Sequence, residues 1–589
     1  MRHLAILATV LTLTFVPSQA QEAPATRLHA LFGDGWQRWL REHPDMASIF
    51  GLAGFNDAWP DVSLAALEDN VRYRKSALEK LKAIDPDKLT PSDRLHYALF
   101  RREYETEIAG HALGWHLTPL SHMEGIQDIS SLLDSLTFTK AKDYDDWLTR
   151  LQRYPQYMDQ YIALLEEGMR HGRVQPRVAM KRVPAQVQRQ LVDDPEQCTF
   201  YRPFRRFPPN LSLEERTRLE KQGRDAVARH VLPSLRKLLT FLDERYLPAC
   251  YEGVGVGREK KGRELYAFLV RHHTSTGLSP EEIHAIGLQE VRRIRAEMNE
   301  VLKQVGFKGT FREFVAELRQ NPRFYYKTGQ ELMAATKEVC DRVEAQLPRM
   351  FGKLPRTKFL LEPVPGHIAP DAPMGYYLWP SADGRRPGIY YVNLYRPEVR
   401  PKYQIEALSL HEAVPGHHLQ ISLAFEQEKL PAFRRFTTGY TAFVEGWALY
   451  SESLGEQLGM YQDPYSKFGQ LDFAIWRAVR LVVDTGMHAK KWTRDEAIKF
   501  AEENSAFSRH SIETEIDRYA CWPGQALAYK IGELKIKELR ARAEKSLGKR
   551  FDIRPFHDVV LANGAVPLDV LEGLVTDWIE QTKGNAKSR

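Results

Sequence analysis

The chain has 589 residues, of which 43% are hydrophobic and 27% are charged, a balance typical of a globular protein and not of a disordered one. Its 83 Lys and Arg residues exceed the 77 Asp and Glu residues by only six, and no long basic run occurs, so no nucleic-acid partner is expected. A chain of this length is too long for one compact core, and we expect at least two large parts.

The first twenty residues are typical of a cleavable signal peptide. Arg2 and His3 supply a short positive segment, residues 4–16 are apolar but too few to cross a bilayer comfortably, and small residues stand at positions 18 and 20. We predict a signal peptide over residues 1–20, cleavage after Ala20, and a periplasmic or secreted protein. No cysteine follows the apolar segment, so a lipid anchor is not expected, and no later apolar run predicts a membrane span. The alternative is an uncleaved N-terminal anchor helix.

Most of the remaining chain shows apolar residues at the three- and four-residue spacing of an amphipathic helix. Capping boxes at Ser212, Ser279 and Thr493 mark three helix starts. Pro233 is expected to kink or break the first of the helices that follow. The clearest predicted helices cover residues 213–239, 280–305, 330–347 and 442–458.

A domain boundary is predicted where Gly253, Gly255 and Gly257 interrupt the helical pattern. We expect an N-terminal helical subdomain over residues 21–257 and a C-terminal catalytic helical subdomain over residues 258–589. The three glycines resemble a phosphate loop only superficially, because no strand precedes them and the third glycine is misplaced. We interpret the segment as a turn.

Residues 355–395 are the one region that departs from the helical pattern. Three short stretches rich in aromatic and β-branched residues predict a small antiparallel β-sheet just upstream of residue 411. An exposed edge of such a sheet can bind an extended peptide by strand addition, although the sheet can equally serve only to pack on the helices. We place Tyr391 and Asn393, at the end of the third stretch, among the substrate-binding residues.

The four cysteines do not form a C-x-x-C pair, so a cysteine zinc site is not expected. An exported protein meets an oxidising compartment, which permits a disulfide. Cys198 and Cys250 lie in proline-containing, loop-like segments and are the expected pair. The alternative is four buried thiols, which would include Cys340 and Cys521.

The segment 411–418, His-Glu-Ala-Val-Pro-Gly-His-His, is the main chemical signal of the chain. A zinc-hydrolase helix of the form H-E-x-x-H would place its second histidine at position 415, which holds proline. In an unbroken helix His418 would face His411 and His417 would not, since each residue turns about 100°. Pro415 prevents a regular helix, however, and Gly416 permits an irregular backbone. Either later histidine is therefore a candidate second ligand.

Glu445 is the candidate third ligand. It lies in an otherwise apolar helical stretch, where a carboxylate is costly to bury unless it pairs or binds a metal. Two neutral imidazoles and one carboxylate leave an open tetrahedral position for water at a zinc ion, which is the catalytic arrangement. Glu412 would then be the general base that takes a proton from that water.

Hydrolysis also requires a donor for the oxyanion. His488 is one candidate. It shares one helical face with Arg477, Arg480 and Asp484, and this face can be a cleft wall, a buried network or a set of intrahelical salt bridges. A second group lies further along the chain. There Tyr529 is a candidate phenolic donor, Arg518 and Tyr519 are candidate substrate-binding residues, and Arg518 or Lys530 is a candidate partner for a substrate carboxylate. The alternative for both tyrosines is core packing.

Several motifs in the same order make this chain resemble the DUF885 family, a bacterial family of uncharacterised function placed among zincin-like metallopeptidases. The motifs cover residues 386–393, 410–420, 445–452, 484–488 and 517–526. The resemblance implies a mainly α, large multi-helix zincin-like fold of the gluzincin type, with the small sheet beside the active-site helix. Its H-E-x-x-P-G-H pattern ends on His417, which implies His411, His417 and Glu445 as the zinc ligands. The acidic residue often found four positions after the glutamate ligand is here Leu449, and Glu452 is the nearest substitute.

Together these features predict an exported, zinc-dependent metallopeptidase that hydrolyses oligopeptides through a zinc-activated water with Glu412 as base. Two alternatives remain: a zinc amidase acting on a non-peptide or cell-wall peptide amide, and a non-catalytic peptide-binding protein that retains the metal site. The peptide substrate is the expected partner, and the sequence leaves the oligomeric state open.

Overall fold

The computed structural model describes residues 23–258, 261–366, 369–370, 372–436 and 439–584. Within these ranges the protein is mainly helical, as predicted. The predicted signal peptide, residues 1–20, lies outside the described residues. None of the described helices combines the length and the apolar character needed to cross a membrane.

The α-helices vary from one turn to eight turns in length. They are α1 (Pro24–Glu42), α2 (Pro44–Ile49), α3 (Leu64–Lys82), α4 (Pro91–Ala112), α5 (Ala141–Arg170), α6 (Arg177–Met180), α7 (Val183–Gln188), α8 (Leu213–Ala226), α9 (Leu232–Phe241), α10 (Leu247–Ala249), α11 (Gly262–Thr274), α12 (Pro280–Gln304), α13 (Phe311–Gln320), α14 (Gly329–Glu344), α15 (Ile405–Glu412), α16 (His417–Phe425), α17 (Ala432–Arg435), α18 (Thr441–Ser453), α19 (Pro464–Ala489), α20 (Arg494–Asn504), α21 (Arg509–Cys521), α22 (Ala528–Leu547), α23 (Ile553–Leu561) and α24 (Leu568–Gly584).

The local sequence signals explain where several helices begin. The three predicted capping boxes, at Ser212, Ser279 and Thr493, are confirmed. In each, the N-cap side chain accepts a hydrogen bond from the backbone N–H three residues on, and the N-cap backbone N–H donates to the glutamate side chain at that position. The helical path that starts at residue 213 does not break at Pro233. A π-helical turn, Val227–Val231, precedes that proline and lets the chain continue into α9.

The sheet has three strands, β1 (Phe359–Pro363), β2 (Gly375–Leu378) and β3 (Gly388–Val392), in the order β1-β3-β2. β2 pairs with β3 in the antiparallel sense, whereas β1 pairs with β3 in the parallel sense. The prediction of a purely antiparallel sheet is therefore wrong. The chain leaving β1 passes the central position and forms β2 at the far edge, so β3 later inserts between them and runs in the direction of β1.

Buried side chains form several apolar clusters. One contains only residues between Trp59 and Cys250. The largest extends from Val256 to Ile579, with Leu99 added, and includes residues of α11, α15, α18, α22 and α24. A third cluster packs α12 against α19, α20 and α21. The candidate functional residues described below lie on helices of the largest cluster and of the third cluster.

All four cysteines, which lie in the described part of the chain, are buried free thiols. The predicted disulfide between Cys198 and Cys250 is therefore wrong. Both side chains point into the same apolar cluster. Burial raises the pKa of the Cys250 thiol to about 12 and also raises that of Cys198, which disfavours the thiolate that forms disulfides.

Candidate metal centre

The histidine motif spans two helices joined by a tight turn. α15 ends at Glu412, residues 413–416 form the turn, and α16 begins at His417. A Cβ atom at position 416 would lie 1.9 Å from the carbonyl oxygen of His411, so only glycine permits this approach. The indole nitrogen of Trp447 donates a hydrogen bond to the Pro415 carbonyl at 2.8 Å and fixes the turn to α18. The Pro-Gly insertion thus breaks the helix, as predicted, and places a histidine on each side of the break.

His411, His417 and Glu445 come together at this break, with one candidate ligand atom of each within 4.8 Å of the others. Nε2 of His411 lies 3.5 Å from Oε2 of Glu445, and Nε2 of His417 lies 3.6 Å from the same oxygen. Two ligands bound about 2.1 Å from a tetrahedral zinc ion lie about 3.4 Å from each other. Both distances to the Glu445 oxygen are therefore those expected between ligands of one ion.

Two polar atoms of this group lack a hydrogen-bond partner among the described residues. Oε2 of Glu445 and Nδ1 of His417 are buried without a hydrogen-bond partner among the described residues. An unpaired buried carboxylate oxygen is costly, and a cation would remove that cost. Burial alone would raise the pKa of Glu445, but His417 and His411 hold it well below its ordinary value. The donor set, two imidazoles and one ionised carboxylate, fits zinc.

Glu452 orients the first of the two imidazoles. Its Oε1 accepts a hydrogen bond from Nδ1 of His411 at 2.8 Å, and Nη2 of Arg477 lies 3.4 Å from the same oxygen. Burial alone would lower the pKa of His411, but Glu445 and Glu452 raise it to about 9 in the metal-free protein. With its proton on Nδ1, His411 presents Nε2 to a metal. Two turns beyond Glu445, Glu452 thus supplies the carboxylate that Leu449 cannot.

Glu412 follows the first ligand directly and lies at the end of α15, where it is half-buried. Burial raises the pKa of its carboxyl group, the charges of His411 and His417 lower it, and that of Glu445 raises it further. Glu412 therefore lies within electrostatic reach of all three members of the group without belonging to it. A carboxylate in this position, with a raised pKa, suits a general base.

His418 lies on the other side of α16 from the metal group. Its Nδ1 is 2.8 Å from the Tyr377 hydroxyl on β2, and its Nε2 donates to the Thr357 carbonyl at 3.1 Å. Burial lowers its pKa to about 4. His418 therefore ties α16 to the sheet, and its two nitrogens have no capacity left for a metal. The regular-helix count that favours His418 does not apply because the helix is broken.

Tyr529 lies near the metal group on another helix. α18 and α22 cross where Gly446 and Gly532 touch, since a Cβ on Gly446 would lie 2.5 Å from the Gly532 Cα atom. Glu445 is adjacent to one of these glycines and Tyr529 is one turn from the other. Burial raises the pKa of Tyr529 and the charge of Glu445 raises it further. The structure thus brings this predicted donor close to the candidate ligands.

A family model described as "Bacterial protein of unknown function (DUF885)" matches residues 44–575. The chain belongs to the DUF885 family. The match extends over nearly the whole chain, and it confirms the resemblance indicated by the sequence motifs. No curated protein matches the chain significantly.

Two solved structures share the fold of this DUF885 protein. A protein from Colwellia psychrerythraea is 31% identical, superposes with a TM-score of 0.90, and matches over 95% of this chain and 100% of its own. A protein of unknown function from Shewanella oneidensis is 17% identical, with a TM-score of 0.69 over 94% of this chain and 100% of its own. Each is described as a "putative lipoprotein". The second likeness shows the fold alone.

In this DUF885 protein His488 does not occupy the position that the sequence suggested. Its Nδ1 accepts a hydrogen bond from the Val256 backbone N–H at 3.1 Å, and its Nε2 donates to the Tyr519 carbonyl at 3.0 Å. The residue is 3% exposed, and burial lowers its pKa to about 4. Its only N–H thus donates to a backbone carbonyl, which leaves no ring N–H free for an oxyanion in this structure. Asp484, one helical turn before His488, accepts hydrogen bonds from the Tyr266 hydroxyl and the Gly524 backbone N–H.

Asn393 and Tyr391 are also placed away from the metal group. The Asn393 side-chain amide donates to three backbone carbonyls of residues 369–373 and is fully buried. It ties the end of β3 to Ala369, Ala372 and Pro373, so its amide N–H groups are not free for a substrate in this structure. Tyr391 packs on Tyr376, with ring centroids 4.9 Å apart, on the face of the sheet opposite Tyr390. Alternate residues of a strand face opposite sides, and Tyr390 is the one that senses the charge of Glu412.

Arg518 and Tyr519 belong to a buried network one helix away from Tyr529. The sequence motifs did not reveal its central residue, Glu515, which accepts hydrogen bonds from both. Glu515 lies three residues before Arg518 and four before Tyr519, and this helical spacing is the signal in the sequence that could have identified it. Lys530, by contrast, is fully buried in an ion pair with Glu533. It is therefore not positioned to hold a substrate carboxylate.

Proposed function

We propose that this DUF885 protein is an exported zinc-dependent peptidase. The observation that carries the proposal is the convergence of His411, His417 and Glu445 around a buried carboxylate oxygen that has no hydrogen-bond partner among the described residues. Glu412 beside the group and Glu452 behind His411 add the two carboxylates that such a site requires for a base and for ligand orientation.

The ion would be held by Nε2 of both histidines and by the Glu445 carboxylate. Zinc in such a site supplies a Lewis acid that lowers the pKa of a water and polarises a carbonyl. Glu412 takes a proton from the attacking water and delivers it to the nitrogen of the departing amine, so that the C–N bond breaks to give an acid and an amine. Tyr529 donates its hydroxyl proton in a hydrogen bond to the carbonyl oxygen that becomes anionic.

A peptide is the proposed substrate because the site lies beside a sheet edge. β2 is an edge strand, and a Cβ on Gly375 would lie 3.5 Å from Leu408 of α15. Tyr377 of the same strand contacts His418, the residue next to a candidate ligand. An extended chain pairing with an edge strand in this position would pass close to the metal group. The gluzincin-type fold is part of this proposal.

The proposal of export rests on the N-terminal segment and on one relative. Residues 1–20 have the pattern of a signal peptide, and the 31% identical protein from Colwellia psychrerythraea is described as a putative lipoprotein, a class of exported proteins. Detection of the mature protein outside the cytoplasm, beginning at residue 21, would support this part of the proposal.

The test is a substrate panel offered to purified protein with and without zinc. Unblocked peptides, non-peptide amides and cell-wall peptides are incubated with the metal-loaded protein and with the same protein after chelation. We expect zinc-dependent cleavage of peptides, restored by added zinc. Cleavage of only the other amides would point to the amidase alternative, and zinc binding without cleavage of any compound would contradict enzymatic activity.

A further inference from the structure

Arg480 has an unsatisfied donor in a buried position. It lies in the middle of α19 and is 8% exposed. Its Nε donates to the Tyr519 hydroxyl at 2.8 Å and its Nη2 to Oε2 of Glu515 at 3.0 Å. Its Nη1 is buried and has no hydrogen-bond partner in the part of the chain that the structure describes. A guanidinium that loses water without gaining an acceptor is costly, and such a group points to a missing ligand.

The charges around Arg480 do not balance. Arg518 donates to the same Glu515 carboxylate, at 3.2 Å and 3.1 Å, and its Nη1 donates to the neutral amide oxygen of Gln525 at 2.8 Å. Two guanidinium groups therefore share one carboxylate. Burial alone would raise the pKa of Glu515, but Arg518 and Arg480 lower it to about 2, so it is ionised. The network carries one surplus positive charge on two guanidinium groups whose side chains are each only 10% exposed.

Other acidic groups nearby do not remove this surplus. Asp484 is bonded to the Tyr266 hydroxyl and the Gly524 backbone, and burial raises its pKa to about 7. Glu124, from the N-terminal half, senses the charge of Arg518 but forms no ion pair with it within the described ranges. A buried net charge is unfavourable unless an opposite charge reaches it.

The surplus charge lies next to the candidate metal centre. The Arg480 guanidinium lies 4.5 Å from the centroid of the Tyr529 ring. Tyr529 in turn lies across the α18–α22 crossing from Glu445, as described above. An anion bound at Arg480 would therefore stand beside Tyr529, whose hydroxyl group also senses the charge of Glu445.

We propose that Arg480, supported by Arg518, binds a carboxylate of the peptide substrate through the unpartnered Nη1. The proposal rests on the proposed peptidase function, which supplies the peptide. The carboxylate is either the C-terminal one or an acidic side chain. In the first case the protein removes residues from the C-terminus of peptides; in the second it cleaves beside an acidic residue.

Binding of matched peptides separates these sources without requiring turnover. Calorimetry with zinc-loaded Glu412→Gln protein compares one peptide as free acid and as C-terminal amide, and compares Glu with Gln inside the amidated form. We expect at least a tenfold preference for one of the charged forms. Adding Arg480→Gln is expected to abolish that preference.

The matched control is Arg494→Gln. Arg494 and Arg182 share the carboxylate of Asp517, one residue from Arg518, but their side chains are 23% and 34% exposed. This second pair has the same charge composition with access to water, so its loss is expected to leave the preference intact. If Arg480→Gln does not fold, Arg480→Lys tests the same point, because it keeps the charge and loses the forked donors.

Equal binding of charged and uncharged peptides by the parent protein would overturn the proposal, as would a preference that survives at Arg480→Gln. The two proposals fail separately. A carboxylate preference without hydrolysis of any peptide would contradict the peptidase and leave the arginine site standing. Hydrolysis at equal rates for charged and uncharged peptides would contradict the arginine site and leave the peptidase standing.

Discussion

Glu452 accepts a hydrogen bond from Nδ1 of His411 at 2.8 Å, from a position two helical turns beyond Glu445. The two carboxylates of α18 therefore have different tasks: Glu445 faces Nε2 of His411, and Glu452 fixes the ring from behind. Arg477 holds Glu452 in turn. Position 452 is thus the residue whose loss should weaken the metal site without removing a ligand.

We expect Glu452→Gln to weaken zinc binding by about 10- to 100-fold, because partners of this kind raise the basicity of a ligand histidine and fix its ring. Competition with a chelator of known affinity measures the effect. Glu456→Gln is the control, since that side chain is 62% exposed and pairs with Lys467. Equal zinc affinity in the Glu452 variant and the parent would contradict the assigned role.

Adjacent histidines should respond differently to alanine. His417→Ala removes a ligand and is expected to lose bound zinc while the fold persists. His418→Ala removes the contacts to Tyr377 and Thr357 and leaves the metal group in place. We expect it to retain zinc and to lose about 2 kcal/mol of unfolding free energy, the order expected for two lost buried hydrogen bonds. Zinc content and urea unfolding are measured for both variants. Zinc retained in His417→Ala would contradict the assignment of His417 as the second ligand.

Gly416→Ala should disrupt the motif without changing any ligand. The added methyl would meet the His411 carbonyl at 1.9 Å, so the turn must open and the two histidines must separate. Loss of zinc and of roughly 3 kcal/mol or more of stability is expected, as for other strained backbone sites. Gly277→Ala is the matched control, because a Cβ there meets no atom within 4 Å. Normal zinc affinity in Gly416→Ala would show that the turn is not required.

Acid should destabilise the protein through buried histidines that are neutral in the fold. Burial lowers the pKa of His488 to about 4, from an ordinary value of about 6.5. The unfolded chain therefore binds a proton between pH 6.5 and 4 that the folded chain does not, and stability falls as the pH falls through that window. The contribution of His488 is on the order of 3 kcal/mol at most.

Urea unfolding at pH 7, 5.5 and 4.5 tests the sign. His488→Gln is expected to be less stable at pH 7 and to show a shallower loss of stability toward pH 4.5. His510→Gln, at an exposed position, is expected to leave the slope unchanged. A slope in His488→Gln as steep as in the parent would show that His488 does not carry this linkage.

The sequence predicted the helices and the members of the metal group better than it predicted their surroundings. Helical periodicity and capping residues are local, so α12 and its capping box at Ser279 were predictable. His411 and Glu445 are predictable because polar residues in apolar helices are conspicuous, whereas the choice of His417 over His418 rests on the resemblance to the DUF885 family. A periodic pattern indicates which face of a helix is buried, but not which partner covers it.

Where the structure differs from the prediction, the reason is that a periodic pattern does not identify the partner of a buried face. His488 lies on the buried face of α19, as expected, but its partners are backbone groups of Val256 and Tyr519, which no side-chain pattern reveals. Asn393 likewise binds carbonyls of a loop. The parallel pairing of β1 with β3 depends on the order in which the strands join the sheet, and short strands do not encode that order.

The central claim is tested most directly by zinc content and peptide hydrolysis measured together in Glu412→Gln. The carboxylate of Glu412 is not a member of the metal group, so the variant is expected to bind one zinc per chain as tightly as the parent and to lose hydrolysis by several orders of magnitude. Glu428→Gln, at an exposed position after α16, controls for the loss of a carboxylate. Hydrolysis at the parental rate in a zinc-loaded Glu412→Gln protein would contradict the mechanism.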